Sequence, residues 1–156
     1  RETYIQLLPT ELASRNGHTY PGVRELLSQL SARDDVRLGL LTGNYREAAW
    51  LKLRHYQIAD HFSFGGFGDE HADRDEVAKA ALAAAMNHHP QPIVKDRLWV
   101  VGDTPADIRC GRAIGARVIA VATGMYSVDE LAESRPDHLF ADFSDVESVL
   151  ALWPMV

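Results

Sequence analysis

Val100-Val101-Gly102-Asp103-Thr104-Pro105-Ala106-Asp107 is the stretch on which the reading of this chain turns. The apolar run that feeds it, Arg97 to Gly102, is short and bounded, as a buried strand is. Pro105 suits the first position of a helix, where its missing N–H is not needed. That helix is predicted to run to Ile114 and to stop at Gly115. A buried strand turning straight into a helix is one unit of a parallel sheet covered by helices.

The same rhythm extends in both directions. Downstream, Arg117 to Ala122 reads as a second buried strand, followed by the loop Thr123-Gly124-Met125. A short helix over Val128 to Glu133, a strand over Asp137 to Phe140 and a closing helix over Ser144 to Leu152, with Ser144 as its N-cap, complete that half. Upstream, Val36 to Leu41 reads as a strand ending in Thr42-Gly43-Asn44, and Arg46 to Tyr56 as the helix after it. Phe62 to Phe64 is a short strand running into the glycine-rich turn Gly65-Gly66-Phe67-Gly68. The alanine-rich stretch Asp75 to Asn87 is predicted helical, ending before the breakers His88-His89-Pro90-Gln91-Pro92. Val23 to Ala32 is a further helix. Residues 1–20 fit the rhythm poorly: Thr3 to Leu8 reads as a helix fragment ended by Pro9, and Arg15-Asn16-Gly17 as a turn.

Composition narrows the function. The chain has 156 residues, enough for one domain with a substantial core. Sixteen basic against 22 acidic residues give a net charge of -6, with no basic run to track a phosphate backbone, so nucleic acid is excluded as a partner. No apolar run approaches membrane-spanning length. A single cysteine, Cys110, rules out an intrachain disulfide and fits a reducing, cytoplasmic setting.

Open parallel sheets bind ligands beyond the carboxyl ends of their strands, and polar groups fall at those ends here. Gly43-Asn44 can present backbone N–H groups to an anion, most naturally a phosphate, although on its own Thr42-Gly43-Asn44 reads first as a helix-capping turn. Asp103 and Asp107, four residues apart across a strand end and a first helical turn, can face one mouth and suit magnesium. Taken singly, Asp107 reads better as a helix-start acid favoured by the dipole. Arg74, in Ala72-Asp73-Arg74-Asp75, could neutralise charge on a phosphoryl group, but from spacing alone it reads as a solvated surface residue between two acids.

The order Leu40-Leu41-Thr42-Gly43-Asn44, then a basic residue before a helix, then Val100 to Asp107, resembles motifs II, III and IV of phosphatases of the haloacid dehalogenase (HAD) superfamily. The phosphoglycolate-phosphatase-like branch is the most similar. There Tyr20-Pro21-Gly22-Val23 resembles the return from cap to core, and Ile119 to Gly124 and Pro136-Asp137-His138 also look alike. The resemblance covers nearly the whole chain.

It implies a Rossmann-like doubly wound α/β core over residues 21–156, lacking its first strand. Residues 1–20 would be the end of a helical cap and its return linker. Thr42 would bond the phosphoryl oxygens, with Gly43 beside it and Asn44 adding a backbone contact. Arg74 would replace the more usual lysine, with Lys79 the competing choice. Asp103 would ligate magnesium, and Asp107 would support the metal or orient the basic residue. The implied activity is magnesium-dependent hydrolysis of a small phosphorylated metabolite through an aspartyl-phosphate.

The nucleophile of such enzymes lies in an Asp-x-Asp-Gly-Thr turn on the first strand. Asp73-Arg74-Asp75 has the spacing, but no apolar strand runs into it and no Gly-Thr follows; Asp34-Asp35 precedes a strand instead of ending one. The chain opens on Arg1, and the expectation is that a preceding segment supplies the nucleophile, completes the core and is required for activity. Alternatives are a phosphosugar mutase of the same superfamily and a non-catalytic fragment that binds phosphate or a partner protein. A dehalogenase fits less well, having no need of a magnesium motif.

Overall fold

The computed structural model describes residues 1–69, 71, 73–89 and 92–154. Pro90 and Gln91, among the expected breakers, and Ala72, before the expected helix, lie outside them. In chain order the elements are α1 (Glu2–Ser14), α2 (Val23–Ser31), β1 (Gly39–Leu41), α3 (Arg46–His55), β2 (Phe64–Gly66) and α4 (Arg74–His88). These are followed by β3 (Trp99–Gly102), α5 (Pro105–Ala113), β4 (Arg117–Val121), α6 (Val128–Glu133), β5 (His138–Phe140) and α7 (Val146–Leu150). All strand pairs are parallel, β1 with β2 and β3-β4-β5 in that order. This is the helix-covered α/β architecture the strand-to-helix rhythm predicts.

β4 is the spine. Val118, Ile119 and Ala120 have no exposure and Val121 has 7%. Its residues alternate between two cores, as the period-2 geometry of a strand requires. Ile119 and Val121 pack with Leu26 and Leu30 of α2 and with Phe143, Val146 and Val149. Val118 and Ala120 face Ile108 of α5 and Leu131 of α6. A strand covered on both faces can be apolar throughout, which is why it reads as an unbroken hydrophobic run. Trp153 belongs to this core, edge-on to Trp99 at 5.6 Å between ring centroids.

Several boundaries differ from expectation, each for a physical reason. Pro9 does not end α1, which runs on to Ser14. Ile5, Leu8 and Leu12 lie on one face of that helix, Leu8 is buried, and α1 packs against α3. Packing of that face outweighs the one backbone bond a proline removes. Gly65 and Gly66 are not a turn but the body of β2, paired with Leu40 and Leu41. A Cβ on Gly66 would lie 2.3 Å from Val77 O and 2.7 Å from Ala81 N, so glycine there admits the backbone of α4. The closing helix is capped by Asp145, whose carboxylate accepts from Ser148 N, and not by Ser144. Among the described residues no helix is long and apolar enough to cross a membrane.

β1 and β3 do not pair with each other. Among the described residues each has one hydrogen-bonded neighbour and one unpaired edge. The carboxyl ends of both strands line a single pocket.

Candidate active site

That pocket, of about 450 Å³, is lined by Leu41, Thr42, Gly43 and Asn44 from the end of β1, by Arg74 from α4, and by Val101, Gly102, Asp103 and Asp107 from the β3–α5 junction. The structure thus brings together every site residue read from the sequence: Thr42, Gly43, Asn44, Arg74, Asp103 and Asp107.

Thr42 is held by its N–H, which donates to Gly66 O at 3.1 Å and prolongs the β1–β2 ladder by one residue. It does not cap α3; Tyr45 is the N-cap residue there, without a side-chain cap. Its Oγ1 instead accepts from Asn44 N at 3.1 Å and from Asn44 Nδ2 at 2.9 Å. The backbone contact expected of Asn44 is therefore already used inside the loop. Lys52, which sequence reading did not single out, donates from Nζ to Asn44 Oδ1 at 2.8 Å.

The β3–α5 junction is fixed by a capping box. Thr104 is the N-cap of α5, and its Oγ1 accepts from Asp107 N at 3.2 Å. Asp107 Oδ2 accepts in return from Thr104 Oγ1 at 2.8 Å, Thr104 N at 3.1 Å and Asp103 N at 3.2 Å. Asp107 Oδ1 takes the Arg74 guanidinium. A 4% exposed carboxylate is sustainable only when paired and hydrogen-bonded in this way. Of the two roles the resemblance gives Asp107, the geometry matches the second: it holds the basic residue, and it also holds the turn that carries Asp103.

Arg74 is the first residue of α4, placed there by the Asp73 N-cap, which accepts from Asp75 N at 2.7 Å. Burial opposes its charge, but the Asp107 carboxylate outweighs this and holds the guanidinium above its ordinary pKa. Its Nε is buried and has no hydrogen-bond partner among the described residues. A Cβ on Gly43 would lie 3.3 Å from Arg74 Nη1, a measure of how closely the guanidinium approaches the Thr42 loop. Lys79, the competing basic residue, is exposed, is paired with Glu76 at 2.7 Å and does not line the pocket. Cys110 is fully buried one turn along α5; burial pushes its thiol up, and it is not positioned as a nucleophile.

Asp103 differs from Asp107. Among the described residues its carboxylate accepts no hydrogen bond, and it lines the pocket. The loop after β4 approaches it so closely that a Cβ on Gly124 would lie 2.0 Å from Asp103 Oδ2. An unspent carboxylate beside a guanidinium and a hydroxyl suits a hard cation shared with a phosphate. Among the described residues no three His, Cys, Asp or Glu side chains cluster to hold a metal by themselves.

Known proteins point the same way. A HAD-hydrolase-like family model matches residues 76–146. The phosphoglycolate phosphatase of Nitrosococcus oceani is 23% identical over 150 residues, covering 96% of this chain and 65% of that protein. That of Rhodospirillum rubrum is 30% identical over 129 residues, covering 81% of this chain and 51% of that protein. The chain thus spans between half and two thirds of the length of these relatives. The crystal structure of a candidate phosphatase from Clostridium difficile superposes with a TM-score of 0.73 at 25% identity, covering 84% of this chain and 60% of that one. With its strand-end motifs gathered in one pocket of a parallel α/β fold, the chain is similar to hydrolases of the haloacid dehalogenase superfamily and, among them, to phosphoglycolate phosphatases.

Proposed function

We propose that this chain forms the phosphate-binding core of a phosphatase that hydrolyses a small phosphorylated metabolite. The observation that carries the proposal is the convergence of Thr42, Arg74 and Asp103 on one polar pocket at the strand ends. In this reading the Thr42 hydroxyl and the Gly43 N–H bind phosphoryl oxygens, and Arg74, held by Asp107, neutralises their charge. The orphaned Nε of Arg74 is a donor suited to a further oxygen of the substrate or nucleophile. Asp103 would hold magnesium, whose chemistry when bound is to neutralise charge on the phosphate.

The nucleophile belongs to a further parallel strand, seated between the unpaired edges of β1 and β3 and ending in an aspartate. A row of unpaired N–H and C=O groups along such edges is a template for a further strand, which supports one in that space. Attack by that aspartate on phosphorus would break the ester P–O bond, release the alcohol and give an aspartyl-phosphate, which water would cleave to inorganic phosphate and the free carboxylate. Residues 1–20 would then be the end of the cap, α1 resting on α3, and the rest of the cap would choose the metabolite.

Binding of inorganic phosphate by the full-length protein, measured by isothermal titration with magnesium present, tests this reading. Saturable binding that Arg74→Met weakens at least tenfold is expected, since a charged hydrogen bond in a polar pocket is worth about 1.5–3 kcal/mol. Binding that Arg74→Met leaves unaltered would refute it.

A further inference from the structure

Lys52 stands outside the roles assigned so far. It lies two turns along α3, half-buried, and it touches Asn44 instead of any acid: Nζ to Oδ1 is 2.8 Å. An ammonium has three donors and no acceptor, so this contact fixes which way the Asn44 carboxamide faces. Oδ1 must turn to Lys52, and Nδ2 is thereby aimed at Thr42 Oγ1, 2.9 Å away. The same oxygen receives Asn44 N at 3.1 Å. A threonine hydroxyl has two lone pairs and one proton. Both lone pairs are occupied from within the loop. The proton is what Thr42 has left to offer the pocket that it lines.

We infer that Lys52 is a positioning residue which, through Asn44, makes the Thr42 hydroxyl an obligate donor, so that this corner of the pocket selects a ligand oxygen able to accept a hydrogen bond. The inference rests on the phosphate-site reading above and deepens it. An oxygen that presents a lone pair, such as a phosphoryl oxygen, is accepted; a group with only N–H to offer, an amide nitrogen or an ammonium, meets a donor and is rejected. Discrimination of this kind is strong when it leaves a buried polar group unpaired. Without Lys52 the carboxamide is free to flip. Oδ1 would then face Thr42, and the hydroxyl proton would turn inward to it.

Two readouts in the full-length protein test the relay. The first is the pair of Asn44 Nδ2 proton resonances in nitrogen-15 NMR spectra. They are expected to be distinct and slow to exchange with water in the wild type, to lose that protection in Lys52→Met, and to recover it in Lys52→Arg. The second is a double-mutant cycle on inorganic phosphate affinity. Lys52→Met is expected to weaken binding about tenfold, as for one lost hydrogen bond, and to have little further effect once Thr42 is valine. Lys52→Arg should restore most of the loss, and Asn44→Asp, which keeps the acceptor for Lys52 but removes the donor to Thr42, should not. Unchanged Asn44 resonances in Lys52→Met overturn the relay whether or not phosphate binds. Equal losses from Lys52→Met in the wild-type and Thr42→Val backgrounds overturn it as well. A wild type that binds no phosphate but shows the resonance changes refutes the phosphate site and the donor role together, and leaves only the fixed Asn44 geometry.

Discussion

Asp107 shows how one residue can serve stability and chemistry at once. Its carboxylate closes the capping box of α5, pins the Asp103–Thr104 turn and neutralises Arg74. Removing it leaves a half-buried guanidinium unpaired and strips the helix of its reciprocal cap. Asp107→Ala should therefore destabilise the fold by about 3 kcal/mol, as loss of one partner of a buried ion pair does. Asp107→Asn keeps a carbonyl acceptor for the Thr104 groups and should cost less; equilibrium unfolding in urea measures both. Arg74 and Lys79 are separated by a second comparison. Lys79→Ala, which removes only an exposed i,i+3 pair, should change stability by less than about 0.5 kcal/mol and leave phosphate affinity alone. Asp103 and Asp107 were legible as a pair because an apolar run, Gly102 and Pro105 mark a strand end and a helix start there, whereas Thr42 and Arg74 were singled out only by the resemblance. Lys52 was not. A lysine in mid-helix reads as solvated surface, and its distance from Asn44 becomes short only once α3 folds back beside the β1 loop.

At the level of elements, local propensity located the helices and strands but not always their ends. Pro9 and the Gly65-Gly66 pair misled for the same reason: each is a breaker by its own chemistry, and each is overruled by a neighbour. α1 is carried through Pro9 by its contact with α3, and β2 accepts glycine because α4 lies against its backbone. Gly66→Ala tests the second case. The added methyl meets backbone atoms that cannot swing away, so a loss of about 1–3 kcal/mol is expected, read as a lower melting temperature. Because Arg74 begins α4, phosphate affinity should fall with it. The β4–β5 edge has a pH signature. Burial opposes charge on Asp137, but the Val118 N–H at 2.7 Å and Arg112 at 2.9 Å outweigh it and hold the carboxyl below its usual range. Such a group stabilises the fold fully above its unfolded pKa of about 4, and that stability is lost as pH falls through the lower folded value. Acid unfolding of the wild type should therefore be steeper below pH of about 4 than that of Asp137→Asn.

For the whole molecule, the feature of greatest consequence is the space between β1 and β3. The carboxyl ends of the two-stranded and three-stranded sheets meet at one pocket, and Val101 is 47% exposed although it sits in a strand of the core. Hydrogen exchange should show this directly. Amides of β4, paired on both sides, should exchange slowest, and those of β1 and β3 facing the space should exchange readily unless a further strand covers them. The parallel α/β architecture was readable from the alternation of apolar runs and helical stretches. The separation of the two sheets was not, because no periodicity reports which strands pair. The decisive measurement is the rate of p-nitrophenyl phosphate hydrolysis by the full-length protein as magnesium is titrated, in the wild type and in Asp103→Asn. The wild-type rate should rise with magnesium and vanish with a chelator, and Asp103→Asn should lower it by at least about a hundredfold. A wild-type rate indifferent to chelation, or an Asp103→Asn enzyme as active as the wild type, would contradict the assignment of this pocket as a metal-assisted phosphatase site.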